Sequence, residues 1–254
     1  MNIIKDVEDK ILSRKWFYPY VLPSGRITER YVHKEIEPIH ETRLKMMFSA
    51  LEPLFKDIWQ NITCLDLACH EGYFAHHLAT RGCRQILGID AREQNIRNAN
   101  LIRQAYGHTN LQFRHLDLFK IRPGELERFD VVLMFGLLYH LENPIGALRI
   151  ARNLTKRVCL VETQIAPGLD GVIDWGCHKH VCPMQGAFAV IDQPDFAQSA
   201  EASLTGLSLV PSKNALLWIM NQLGFSRCEV VPPLAGAYEQ LASGKRILVA
   251  GNID

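Results

Sequence analysis

Four carboxylates stand where strand-like runs give way to turns: Asp66 in NITCLDL, Asp90 in QILGID, Asp117 in LQFRHLDL and Glu162 in RVCLVET. In an open parallel sheet, ligands bind beyond the carboxyl ends of the strands, so acids at those tips are placed to meet one. Asp90 is the most informative, because an acid ending the second strand can accept from both hydroxyls of an adenosine ribose. Asp117 can accept from an adenine amino group while the Leu118 amide donates to the ring. After the fourth strand-like run comes LYH, with Tyr139 and His140. An imidazole has the intrinsic pKa to move a proton near neutrality. Glu162 is a third candidate for that work. Each of the three also has a plainer reading: a structural histidine, a packed tyrosine with its hydroxyl in water, and a carboxylate capping the next loop.

The turn LACHEG, between the first strand and its helix, separates the cofactors that such acids could serve. A pyrophosphate needs several glycines so that backbone amides can approach it closely. Here Ala68 and His70 stand at positions where glycine is expected, and only Gly72 remains. A bulky dianion is disfavoured. A cofactor with no phosphate and an amino-acid end, as in S-adenosylmethionine, tolerates the substitutions better. The plain alternative is a turn that holds nothing.

These residues need a scaffold, and the pattern supplies one. Strand-like and helix-like runs alternate through the centre: NITCLDL, GYFAHHLATRG, QILGID, REQNIRNANLIRQAYG, LQFRHLDL, FDVVLMFGLL, NPIGALRIARNL and RVCLVET. The alternation predicts parallel strands with helical crossovers. FDVVLMFGLL is apolar without interruption, as a strand buried on both faces requires. SRCEVVP and KRILVAG read as an antiparallel pair closing the sheet. In HETRLKMMFSALEPLF, Leu44, Met47, Phe48, Leu51 and Leu54 predict the face that covers the sheet. The expected fold class is α/β, a doubly wound, mostly parallel seven-stranded sheet. It is divided into an N-terminal cap (1–60), a cofactor-binding core (61–162), an inserted lid (163–210), and a C-terminal helix and strand pair (211–254).

Taken in order, LDLACHEG, ILGID, HLDLF and FDVVLMFGLLYHLENP resemble the class I S-adenosylmethionine-dependent methyltransferases. More narrowly, GLLYHLENP, LVET, LVPSKNALLWIMNQLGF and KRILVAG resemble the tRNA wobble-uridine carboxymethyltransferase group and its relatives. The resemblance implies that Asp66, Ala68, His70 and Gly72 line the methionine end of the cofactor. It implies Asp90 at the ribose, Asp117 and Leu118 at the adenine, and Phe135 and Gly136 beneath the sulfonium. In the narrower group, a basic residue before the domain, the tyrosine of LYH and a C-terminal arginine can meet a carboxylate on a modified cofactor. Lys15, Tyr139 and Arg246 are the matching positions. The expected cofactor is plain S-adenosylmethionine, with a carboxylated version left open.

In the lid, Trp175, His178 and His180 form a plausible wall for a flat or sugar-like acceptor. Cys177 and Cys182 flank the two histidines in CHKHVC, but adjacent ligands do not converge easily on one ion, so no metal is expected. Between residues 163 and 210 the only basic residue is Lys179, facing Asp170, Asp174, Asp192, Asp195 and Glu201. Phosphate contacts rest on Lys and Arg, so this lid is a poor cradle for tRNA. The formal charge of the 254-residue chain is +1, with no general pull toward a polyanion. Hydrophobic residues make up 48% and charged residues 22%, an ordinary globular balance, and the seven cysteines read as free thiols in a reducing compartment. With no signal-peptide core and no long apolar run, the expectation is a cytoplasmic methyltransferase with a small-molecule substrate and no membrane partner. The alternatives are modification of tRNA wobble uridine and a degenerate binding protein without turnover. A nucleic-acid partner and a homo-oligomer stay open.

Overall fold

The computed structural model describes residues 3–169, 171–174, 176, 181–192, 203 and 205–254. The chain opens with α1 (Ile3–Leu12), the short strands β1 (Lys15–Trp16) and β2 (Glu29–Arg30), and α2 (Pro38–Phe55). It then alternates: β3 (Thr63–Leu67), α3 (Tyr73–Arg81), β4 (Gln85–Asp90), α4 (Glu93–Tyr106), β5 (Leu111–His115), β6 (Phe129–Phe135), α5 (Pro144–Leu154) and β7 (Thr155–Gln164). Two antiparallel pairs follow, β8 (Val172–Asp174) with β9 (Val181–Pro183), and β10 (Phe188–Asp192) with β11 (Leu207–Pro211). The chain ends with α6 (Lys213–Gln222), β12 (Arg227–Val231), α7 (Glu239–Ala242) and β13 (Arg246–Asn252).

Seven strands make the central sheet in the order β12-β13-β7-β6-β3-β4-β5. β13 runs antiparallel to both neighbours, and the other pairs are parallel. The predicted doubly wound sheet and its closing antiparallel pair are both present. Successive side chains of a strand point to opposite faces, and both faces are packed. Cys64, Ile86, Val131, Leu133 and Leu160 join one core with α2 and α3. Leu65, Leu87, Ile89, Val132 and Val161 join the other with α5 and α6.

Several boundaries differ from the pattern reading, each for a local reason. β6 stops at Phe135 because Gly136 takes φ +67°, turning the chain toward the cavity. β5 ends at His115, and Asp117 instead caps a short 3-10 turn, accepting from the Phe119 amide at 3.0 Å. α2 presents Ile39, Met46, Met47, Leu51 and Phe55 to the core, while Leu54 is exposed and Leu44 and Phe48 are half-buried. Leu44 and Phe48 still pack against that core as its margin, and the first turn of α2 sets His40 against Phe17 and Tyr18. The charged N-terminal stretch is helical as α1, packing Val7 and Ile11 inward.

Gly72 sits at the N-terminus of α3 with φ +81°. A Cβ there would lie 2.3 Å from the Phe113 ring. It is therefore a close-packing glycine that lets α3 lie on the sheet. Gly72→Ala combines a left-handed backbone with overpacking and is expected to cost about 2–4 kcal/mol, read as a lower denaturant midpoint. An unchanged midpoint would contradict this packing role.

Candidate active site

A cavity of about 330 Å³ opens at the carboxyl ends of β3, β4 and β6, under residues of the N-terminal cap. One end is walled by Ala68, His70, Asp90, Asp117 and Leu118; the other by Gly136, Tyr139, His140, Arg43 and Arg246. Phe135, the last residue of β6, also lines it.

The loop after β3 keeps the backbone of a glycine-rich turn without its glycines. Ala68 has φ +55° and His70 has φ +52°, both left-handed. Such a conformation costs an L-residue about 1–2 kcal/mol, and surrounding bonds must hold it. The Cys69 amide donates to the Ile89 carbonyl at 2.9 Å, and the His70 amide donates to Asp90 Oδ2 at 2.9 Å. Asp90 Oδ1 accepts from the Arg92 amide at 2.8 Å and from Asn95 Nδ2 at 3.2 Å. A carboxylate offers about four lone-pair positions. Three are used by the fold, leaving one on Oδ2 for a ligand hydroxyl.

Asp66 and Gly72 stand behind this loop and do not line the cavity. Asp66 is buried and its Oδ2 has no hydrogen-bond partner. Burial raises its carboxyl to about 8, and nearby Asp90 adds to the shift against a hydrogen bond from the Ala75 backbone. Asp66 is thus largely neutral at pH 7, and its hydrogen bond is to the first turn of α3.

The cap is fastened to the same loop by Glu71, which pattern reading passed over. Its Oε2 accepts from the Phe17 amide at 2.9 Å, and the Tyr20 hydroxyl donates to the Glu71 carbonyl at 2.9 Å. Phe17 and Tyr18 consequently reach the cavity wall. Neighbouring Lys15 does not. It is exposed and pairs with Glu29 at 2.8 Å, because its place in β1 directs it outward while Trp16 is buried.

The cation brought in from the N-terminal region is Arg43, on α2. Glu162 lies between two arginines, with Oε2 at 3.0 Å from Arg43 Nη2 and Oε1 at 2.8 Å from Arg246 Nη1. Arg246 also donates to the Tyr139 hydroxyl at 2.8 Å and to Gln240 at 2.9 Å. Burial would raise the Glu162 carboxyl, but Arg43 and Arg246 outweigh it and hold the group below the usual range. Glu162 therefore stays ionised and anchors the arginines; as a proton acceptor it is poorly suited. His140 lines the cavity, its ring 4.1 Å from that of Tyr139. Arg43 left a sequence signal: with Ile39, Met46 and Met47 it occupies the apolar stripe of α2, where an unpaired charge is costly. Trp175, His178 and His180 lie outside the described residues, as does Cys177. Ser203 and Thr205 complete the rim. Among the described residues no cluster of three His, Cys, Asp or Glu could hold a metal ion.

Comparison with known proteins adds to this geometry. Residues 58–179 match a methyltransferase domain family. The fold is that of the class I S-adenosylmethionine-dependent methyltransferases. The N-terminal domain of EvdMO1, solved with S-adenosylhomocysteine and D-fucose, superposes with a TM-score of 0.71 at 22% identity, covering 100% of this chain and 98% of that one. Magnesium protoporphyrin IX methyltransferase from Synechocystis PCC 6803 superposes at 0.60 and 12% identity, covering 100% of this chain and 95% of that one. Among curated proteins, a tRNA U34 carboxymethyltransferase of Desulfotalea psychrophila is 27% identical over 73% of this chain and 51% of its own length. A ubiquinone biosynthesis O-methyltransferase of Leptothrix cholodnii is 24% identical over 57% of this chain and 55% of its own. The chain thus spans about half the length of these curated relatives. Among the described residues, no helix of this methyltransferase-fold chain is long and apolar enough to cross a membrane.

His40, on α2 one turn before Arg43, is fully buried, with neither ring nitrogen hydrogen-bonded. Burial, and then Arg43, His70 and Arg30, lower its pKa to about 3. The unfolded chain therefore binds a proton near pH 6.5 that the folded one refuses. Stability from this group is complete above that pH and is lost as pH falls toward the folded value. The expected slope is up to about 1.4 kcal/mol per pH unit. Chemical denaturation of His40→Phe between pH 6.5 and 4 should show a shallower loss than wild type. Parallel curves would remove His40 from the account.

Proposed function

We propose that this protein transfers a methyl group from S-adenosylmethionine to a small-molecule acceptor, of metabolite or sugar-like character. The observation carrying this reading is one continuous cavity with an adenosine-compatible end at Asp90 and Asp117 and a proton-handling end at Tyr139 and His140. Its volume suits a small ligand. S-adenosylmethionine, when bound, supplies an electrophilic methyl. The chain's own tasks are to fix the two partners, exclude water and, for a protonated acceptor, remove a proton. Asp90 has a lone pair left for a ribose hydroxyl. The strained turn at Ala68 and His70 retains the shape expected of a cofactor loop, which supports binding over a degenerate turn. His140 is the proposed base, with Tyr139 held in place by Arg246. Its hydroxyl accepts from that arginine and keeps its own proton for a ligand.

A second reading, modification of tRNA wobble uridine, is favoured by the names of several curated relatives. Phosphate contacts make binding fall steeply with salt. Bulk tRNA that binds this protein with a steep salt dependence would favour the second reading; no salt-dependent binding would leave the small-molecule one.

Calorimetry with S-adenosylhomocysteine tests the cofactor half. Asp90→Ala should weaken binding by about 1–3 kcal/mol through loss of a charge-assisted hydrogen bond. His140→Ala should bind the cofactor as wild type does. Equal affinity in Asp90→Ala would remove the ribose assignment.

A further inference from the structure

Outside the cofactor end, the strongest unassigned feature is an uneven charge balance in a buried place. Arg43 and Arg246 are each 5% exposed, and the one carboxylate between them is Glu162. A third cation, the sulfonium, is brought to the same cavity in the function proposed above. Buried charges are stable only when paired. The arginine pair with its single carboxylate is therefore short of one negative charge by itself, and of two when the donor is in place.

The missing anion has a position. Arg246 already uses all three of its guanidinium nitrogens, on Gln240, Glu162 and Tyr139. Arg43 does not: Nη2 is held by Glu162 at 3.0 Å, and among the described residues Nη1 has no partner while lying 3.7 Å from a Cβ built on Gly136. A buried charged donor left unpaired is costly unless a ligand completes it. Arg43 borders the cavity, and a Cβ placed on Gly136 would lie 3.6 Å from Arg43 Nη2 and 3.5 Å from the Tyr139 hydroxyl. The two donors therefore flank the space over Gly136. Arg43 comes from the cap, not from a cofactor-binding strand. Its neighbours on the cavity wall are Ile36, Ile39, Phe17 and Tyr18, a largely apolar lining.

We propose that Arg43, with the Tyr139 hydroxyl, is the specificity-determining anchor for a carboxylate on the methyl acceptor, whose remaining body is apolar or aromatic. The proposal rests on the methyltransferase reading for the identity of the second ligand. A guanidinium with Nη1 toward the space over Gly136 matches a carboxylate better than a neutral amide or alcohol. The group anchored is not the atom that receives the methyl; it sets which molecule can lie beside it.

The test uses the intact protein saturated with S-adenosylhomocysteine and titrated with 4-hydroxybenzoate or with its neutral partner, 4-hydroxybenzamide. Wild type should bind the acid about tenfold more tightly than the amide. Arg43→Gln should erase the preference, and Arg43→Lys should keep part of it, with affinity for S-adenosylhomocysteine unchanged in both. Equal binding of acid and amide to wild type, no binding of either, or a preference that survives Arg43→Gln overturns the proposal. One further outcome also overturns it. If Arg43→Gln weakens only a sulfonium donor carrying a carboxylate on its transferable carbon, and leaves the acid-to-amide ratio intact, the anion site serves the donor. If S-adenosylhomocysteine itself fails to bind, the function proposed above falls, while the same pair titrated without it still decides the role of Arg43.

Discussion

The Asp90 carboxylate ties together the pieces from which the cavity is made. It ends β4, holds the amide of His70 across the neighbouring strand tip, and fixes the entry to α4 through Arg92 and Asn95. Without such a tether, the left-handed backbone at Ala68 and His70 would relax, since each residue is held where an L-side chain is strained. The tether extends outward. Glu71, in the same loop, takes the Phe17 amide and so sets the cap over the cavity. A single acid thus joins the sheet, the loop and, at one remove, the wall that faces an acceptor.

The opposite end of the cavity is organised by a second carboxylate in a different way. Glu162 is ionised because two arginines surround it, and its value lies in holding them. β7 and β13 are adjacent antiparallel strands, with Leu248 beside Glu162 in register, so Arg246 arrives from the neighbouring strand. Arg43 arrives from α2. Three elements far apart in the chain thereby meet over Gly136, where β6 has turned away from the sheet. The two ends differ in character: Asp90 keeps acceptor capacity for a ligand, whereas the arginine cluster keeps donor capacity.

The sheet was legible because its signal is repeated. Each of the runs NITCLDL, QILGID and FDVVLMFGLL is largely apolar, short and bounded by a turn, and each is followed by a segment of a different period. Asp90, Asp117, Leu118, Phe135, Gly136, Tyr139, His140 and Arg246 all border one cavity, for the same reason: strand tips and the turns after them converge in this topology. What the pattern did not carry was contact between distant segments. Lys15 and Arg43 are both cations ahead of the sheet; the place of Lys15 in β1 turns it outward, and Arg43 lies on the buried face of α2. Ala68 and His70 looked like losses from a glycine turn, yet the Asp90 hydrogen bond supplies the restraint that makes glycine dispensable there. Asp66 and Gly72 belong to the same motif but do not border the cavity, because they occupy the end of β3 and the start of α3.

The most direct measurement is a crystal structure of the protein with S-adenosylhomocysteine. The account predicts adenosine between Asp90 and Asp117, a ribose hydroxyl on Asp90 Oδ2, and positive φ retained at Ala68 and His70 with the His70 amide still on Asp90. A ligand elsewhere, or a loop that has released Asp90 and returned to negative φ to admit it, would contradict the claim that this strained, carboxylate-tethered turn is the cofactor site.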